Sequence, residues 1–437
     1  MLPILLSISF FAVPVQAEPL APTIRVGILS NQENVLISAD TNFLILNGET
    51  GQVLTFLVAG EKASITVNGK NISINGKLVK AVKFSALPVQ YNGEHYIDVN
   101  NKQYRGNIDI HLTHGKTGLT IVNTLPVEQY LGGVIANEMP PSWPIEALKA
   151  QTVAARTYAL YNLNKHQGDE YDVCATTDCQ VYGGRDSETP QVIKAVGDTS
   201  GQVIMSQGKM IPAYFHSSSG GYTENSENVW GTYQPYLRGV VDYDQNSPQY
   251  KWEKKLSPNE LNTAIYKAGY TIGIIKAIEL TPLTSKPMNI AERGVSGRVN
   301  NIQLIGSTGN AQLTGEQLRK ILSLKSTLFD VAVMAPGQQV ANDGITNRTG
   351  KLNDKKVQSN LLPIRKQGFV TDQKENHEIS GRPNEIIVIS GFGWGHGLGL
   401  SQWGAKAMAE QGPQNDSTYF KEILKHYYQG TTIKKVF

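Results

Sequence analysis

The stretch PVEQYLGGVIANEMPPSWPIEALKAQTVAARTYAL, residues 126–160, decides the fold class. Pro126 stands where a helix start tolerates proline. Val127, Tyr130, Leu131, Val134 and Ile135 then recur at i, i+3, i+4, i+7 and i+8, which makes one apolar stripe. Ser142 to Pro144 opens a second helix, predicted to run to about Asn164 with Leu148, Thr152, Ala155 and Ala159 turned inward. Glu146, Lys149 and Arg156 share another of its faces, where periodicity alone favours a solvated surface over a polar wall facing a cleft.

On the N-terminal side the pattern changes. From Thr23 to about Thr120 it alternates and is rich in β-branched residues, with Asn-Gly pairs at 47–48, 68–69, 75–76 and 92–93. Such pairs favour tight hairpins because both central residues accept positive φ. The run ITVNGK (65–70) is nearly repeated as ISINGK (72–77), which reads as two consecutive hairpin edges. On the C-terminal side, residues 337–384 are polar with little apolar content, an insertion expected to be mobile. A buried strand is expected at Glu385–Ser390. A last helix should follow, with Ser401 as N-cap and Gly412 as its stop. The expected class is α+β: a β-rich region over 18–120, then a mixed α/β core over 121–336 that resumes at 385–437 after the insertion.

The chain has 437 residues, enough for two or three domains, with 40% hydrophobic and 18% charged residues. That balance excludes global disorder. A net charge of +3, from 40 basic and 37 acidic residues, does not suit an obligate nucleic-acid binder. Residues 1–17 are apolar and end in Val15-Gln16-Ala17, the small-residue pattern of a signal-peptidase site, so an exported protein is expected. No later stretch reaches the ~18 apolar residues of a membrane span.

Four segments carry chemical residues. Glu138 falls on the apolar stripe of the first helix and at its C-terminal end. Desolvation and the negative helix terminus should both raise its pKa, which suits a general acid. The run YFHSSSGGYTE (214–224), with Trp230 after it, gathers hydroxyls, a histidine and aromatics but lacks a Gly-x-Ser-x-Gly elbow. The run GFGWGHGLG (391–399) has glycine at every second position. If extended, it would show bare backbone on one face and Phe392, Trp394, His396 and Leu398 on the other; it does not fit a dinucleotide-binding glycine pattern. Cys174 and Cys179, with His166 upstream, supply too few ligands for a tetrahedral zinc site, so a local disulfide is expected and no metal or other cofactor.

These motifs, taken together and in order, closely resemble the stage II sporulation protein D family, which includes proteins named amidase enhancers. The likeness rests on 127–140 and 143–158, on CQVYG (179–183), HSSSGGYTE (216–224), VWG (229–231) and PYL (235–237). It continues over 319–329, GWGHGLGLSQWGA (393–405) and HYYQG (426–430). The resemblance implies a periplasmic or wall-facing protein with a substrate groove for peptidoglycan glycan strands. It further implies lytic transglycosylase activity on strands stripped of peptides, with Glu138 as acid and base. Glu146, Lys149, Arg156, Tyr158, Ser219, Thr223, Glu224, His396 and Gln402 are then groove candidates. Some members are similar to zinc proteins using cysteines and histidines near the segment of Cys174 and Cys179, but here no histidine lies between the two. Two other classes compete: a non-catalytic module that recruits or stimulates a wall amidase, and a serine esterase acting through Ser219 and His396.

Overall fold

The computed structural model describes residues 21–334 and 374–437, apart from 70, 91, 116, 289 and 290. The export-signal run and most of the polar insertion lie outside the described residues.

The fold is α+β, as expected. The N-terminal region forms two largely antiparallel sheets. One has seven strands, in the order Val173–Cys174, Thr23–Gln32, Leu119–Pro126, Asn107–Leu112, Lys83–Pro88, Phe43–Asn47 and Val53–Leu57. The other has six, from Lys102–Arg105 through Tyr96–Val99, Asn34–Ala39, Ala63–Asn68 and Asn71–Ile74 to Lys77–Val79. The sequence alternation becomes alternating burial: Val35, Ile37 and Ala39 point inward from one strand and Ile108 and Ile110 from another. The near-repeat pairs with itself, Ile65 opposite Ile74 and Val67 opposite Ile72. Asn75 and Gly76 turn it through positive φ at both residues, as the Asn-Gly reading required.

The strand Leu119–Pro126 runs directly into helix α1, Val127–Glu138, whose predicted stripe is buried. Helix α2 spans Ile145–Tyr161, and every residue from Glu146 to Leu160 is buried. Helix α3 (Pro190–Asp198), the strand Gln202–Ser206 and the last two helices, described below, close around it. The expectation of a solvated face at Glu146, Lys149 and Arg156 is therefore corrected. A buried charge must be paired, and these are. Arg156 grips Glu128 of α1 in a two-point ion pair at 2.9 and 2.7 Å. Lys149 sits 2.9 Å from Glu146 and 3.2 Å from Asp198.

The chain then passes through the short helix α4, Ser226–Trp230, and leaves this core. A second hydrophobic cluster is built from helices α5 (Pro258–Lys267) and α6 (Gly315–Leu322) and from the strands of two small sheets. The core expected as one unit over 121–336 thus has two interiors. Glu375–Glu378, inside the expected insertion, is a strand of this second part and pairs with Ile275–Leu280. The insertion therefore ends earlier than its polar composition suggested, because a half-exposed edge strand need not be apolar. The strand Ile386–Phe392 lies between Lys251–Leu256 and Phe329–Met334 and brings the chain back. Helix α7, Gln402–Gln411, follows, with the Ser401 side chain accepting from the Gly404 N–H and Gly412 at its end, as the sequence indicated. Helix α8, Phe420–Tyr427, caps the first core, and Glu146 accepts the N–H of its first residue at 2.9 Å.

The glycine-rich run is not extended. Gly393, Gly395, Gly397 and Gly399 all have positive φ, and the run lies against the segment 214–219. At Gly399 a methyl group would overlap the Tyr214 carbonyl oxygen and φ is +67°. At Gly430 φ is +65° with nothing near. Gly430→Ala should therefore cost about 1 kcal/mol, the left-handed penalty alone, whereas Gly399→Ala should cost at least roughly 2–3 kcal/mol. Denaturant unfolding of both variants checks this; equal losses would show that close approach at Gly399 is unimportant.

Candidate active site

A cleft of about 630 Å³ opens where the end of α1, the last turn of α2, the segment 165–181, the segment 214–217, the segment 394–396 and the start of α7 converge. Its volume suits a small-molecule or oligosaccharide segment. Glu138 lies in it as the last residue of α1. The Val181 N–H donates to its Oε1 at 3.3 Å and the Gln402 side-chain amide to its Oε2 at 3.2 Å. Burial pushes the Glu138 pKa above the usual carboxylate range, against the downward pull of those two donors.

The remaining wall is aromatic. Tyr214 meets Trp230 edge to face at 4.3 Å between ring centres, and Trp230 lies 5.2 Å from His396. Trp230 and Trp394 are each 47% exposed, so apolar ring surface faces the opening. Such rings suit the C–H faces of sugars, with Tyr hydroxyls as polar handles. His396 accepts the Leu398 N–H on Nδ1, and burial beside Arg298 pushes its pKa down to about 3. His216 faces the Leu398 carbonyl through Nδ1, and burial holds its pKa well below the ordinary value. Both rings are neutral across the working range. Tyr158 also lines the cleft, its phenol pushed up to about 12 by burial and hence protonated.

The structure thus gathers Glu138, Tyr158, His396 and Gln402 in one place and puts the other candidates elsewhere. Glu146, Lys149 and Arg156 belong to the ion pairs around α2. Ser219 is fully buried and donates to Asp242 at 2.6 Å. Thr223 accepts the Val240 N–H at 2.8 Å. Glu224 holds the segment 294–296, accepting from the Val295 N–H and from the Ser296 N–H and hydroxyl. A serine hydrolase would need its nucleophile on a base; Ser219 is hydrogen-bonded to Asp242 instead. The candidates missed as site residues are Tyr214, His216, Trp230, Trp394 and the Val181 N–H. The aromatics stood in segments already singled out, interleaved with glycine. A backbone donor has no sequence signal.

One expectation is corrected at the cleft rim. Cys174 and Cys179 are free thiols, not a disulfide. They converge with His166 and Asp178, and all four ligand atoms lie within 4.8 Å of one another. Counting cysteines and histidines found three ligands; the fourth is Asp178, directly before Cys179. Two thiols, an imidazole and a carboxylate are a donor set that fits a zinc-class ion.

Comparison with known proteins agrees with this architecture. A family described as stage II sporulation protein matches residues 115–205, and a domain of unknown function matches 236–346, within which much of the second hydrophobic cluster falls. The chain is 32% identical over 385 residues to the amidase enhancer of Bacillus subtilis, covering 86% of this chain and 50% of that protein, so it spans about half of that relative. It is 28% identical over 336 residues to stage II sporulation protein D of Bacillus subtilis, covering 73% of this chain and 78% of that one. Against stage II sporulation protein D of Bacillus amyloliquefaciens it is 31% identical over 329 residues, covering 72% and 76%. The chain belongs to the stage II sporulation protein D family.

Proposed function

We propose that this protein is a lytic transglycosylase that cleaves peptidoglycan glycan strands stripped of peptides, at the wall or in the periplasm after export. One observation carries the reading: a carboxyl group whose pKa is raised by burial, set between two amide donors in an aromatic-walled cleft. Among the described residues no helix is long and apolar enough to cross a membrane.

The chemistry follows from one carboxyl group. Glu138 gives its proton to the glycosidic oxygen between N-acetylmuramic acid and N-acetylglucosamine. The bond from the anomeric carbon to that oxygen breaks with its electron pair on oxygen, and positive charge develops at carbon. The Glu138 carboxylate then takes the proton of the sugar's own C6 hydroxyl, whose oxygen closes a 1,6-anhydro ring on the anomeric carbon. Glu138 ends protonated, and no water is consumed. Gln402 can serve both states, because its NH₂ donates to the carboxylate and its C=O, after an amide flip, accepts from the acid. The exposed faces of Trp230 and Trp394 would hold the sugar rings. A divalent ion, when held by His166, Cys174, Asp178 and Cys179, would supply a structural cross-link at the rim. Asp178, the other carboxylate lining the cleft, is turned onto that cluster and Lys165. A hydrolase would need a carboxylate pair at a set separation.

The name of the Bacillus subtilis relative supports a second reading, in which the same cleft binds glycan without cutting it and the protein stimulates a wall amidase. Product analysis separates the two. Denuded strands incubated with the protein should yield anhydro-ended sugars by mass spectrometry; binding with intact strands would favour the enhancer, and reducing-end products a hydrolase.

Glu138→Gln should lower turnover by at least about 10²–10⁴-fold while glycan binding persists, because the amide keeps the shape but cannot donate and recover a proton. A folded variant making anhydro-sugars at the wild-type rate would sink the assignment. The same change should stabilise the protein at neutral pH. A carboxyl group whose folded pKa is raised favours folding below its unfolded pKa, and that advantage is lost as pH rises through the folded pKa. The gain from Gln should thus be seen in melting at neutral pH and fade in acid.

Activity should fall on the alkaline side, as the acid loses its proton. Gln402→Met removes a donor that pulls the Glu138 pKa down while keeping similar bulk. Its alkaline limb should move to higher pH and its maximal rate should drop. An unmoved limb would show that Gln402 does not act through Glu138.

A further inference from the structure

A positive charge stands beside the cleft at Trp394, and the reaction gives it no role. Trp394 enters the cleft from the glycine-rich run and is 47% exposed. Its backbone is fixed: its N–H donates to the Ser218 carbonyl at 2.8 Å, and its carbonyl accepts the Ser218 N–H at 3.1 Å. The next residue, Gly395, donates to the Lys325 carbonyl at 3.0 Å. The Lys325 side chain reaches the indole, with Nζ 5.7 Å from the ring centre, within cation–π range. Ser326, fully buried, donates to the Phe392 carbonyl at 2.6 Å, so the segments 325–326 and 392–395 are tied together beside that contact.

Lys325 differs from its cationic neighbours in what it binds. Arg298 is buried and donates to the carbonyls of Gly395 and Ser219. Arg319 pairs with Glu316, and Lys165 with Asp178. Lys325 is half-buried, and its Nζ donates to the neutral side-chain oxygen of Gln249. Among the described residues no carboxylate is paired with it. An ammonium has three donors. Gln249 and Trp394 hold this one in place without neutralising it.

The proposed substrate carries the matching group. Each N-acetylmuramic acid of a glycan strand bears a lactyl ether. With a stem peptide attached, the lactyl carboxyl group is a neutral amide. Once the peptide is cut away, it is a carboxylate. The ether oxygen and the lactyl carbon set that carboxylate about 4 Å from the sugar ring, at roughly 1.5 Å per bond. A muramic ring against the exposed part of Trp394 would bring the carboxylate to the cation beside the indole, in a charge-assisted contact.

We propose that Lys325, held by Gln249 against Trp394, binds the free lactyl carboxylate of N-acetylmuramic acid and so makes the cleft select strands stripped of peptide. The inference rests on the reading of the cleft as a glycan site. It adds the group that tells a stripped strand from an intact one. Lys325 takes no part in the proton transfers.

The test is one of binding. The full chain carrying Glu138→Gln is titrated calorimetrically with three hexasaccharides. These are the denuded strand, the same strand with its lactyl carboxyl groups converted to methylamides, and chitohexaose, which has no lactyl group. The free acid should bind about tenfold more tightly than the other two, the scale of one half-exposed charge-assisted contact. The gap should narrow as salt is raised. Adding Lys325→Met should erase the gap by weakening the free acid alone, and Lys325→Arg should keep most of it. Equal binding of acid and methylamide by the chain with Lys325 intact would overturn the proposal. So would a Lys325→Met protein that melts like its parent and keeps the full gap. Failure to bind any of the three would overturn the glycan reading as well, whereas binding all three alike would remove only the role of Lys325. Cleavage is scored separately, from anhydro-ended products of the unmodified chain.

Discussion

The two-point ion pair between Arg156 and Glu128 is the constraint around which the molecule is arranged. It joins the first turn of α1 to the buried, alanine-rich α2. A guanidinium with no exposure is costly to bury, so every direction it points must offer an acceptor. Here the acceptors are the Glu128 carboxylate and the carbonyls of Val196 and Gln202. That requirement fixes the end of α3 and the following strand relative to α2. With α2 held, Tyr158 and the end of α1 reach the cleft together.

Charges on α2 that could have bound substrate thus hold the scaffold, and the cleft's own Lys165 and Asp178 pair with each other, which leaves the other cleft groups beside Glu138 neutral. His216, His396 and Tyr158 are uncharged because they are buried, and Gln402 is uncharged by nature. Glu138 therefore works in surroundings where its own proton is the main electrostatic variable. This suits chemistry in which one group both gives and takes a proton. A strongly cationic cleft would favour the carboxylate and leave no acid.

Much of the fold was legible in the sequence, because periodicity reports burial on one face. The stripe on α1, the Asn75-Gly76 hairpin and the Ser401 cap all follow local rules. Where burial is complete, local rules say less. Helix α2 is enclosed on every side, so Glu146, Lys149 and Arg156 read as surface when they are interior. The alternating glycines suggested an extended strand, but their positive φ values come from the neighbouring segment they lie against. At the site, Glu138 could be found from its place on a stripe and at a helix end. His396 stood in the glycine-rich run, Gln402 and Tyr158 came only with the family resemblance, and the Val181 N–H only with the structure. Asp178 was overlooked because carboxylates were left out when the metal ligands were counted.

The partners of the cleft are far apart along the chain. Glu138 and Gln402 are separated by 264 positions, and the strand pair Phe215–His216 with Leu400–Ser401 closes over 185. The second hydrophobic cluster lies between them in the chain. Glu138 is therefore made well before Trp394, His396 and Gln402, which complete its cleft. A chain cut before residue 394 would keep Glu138 but lose Trp394, His396 and Gln402 from the cleft. Chain order thus separates the making of the carboxyl group from the closing of the cleft around it.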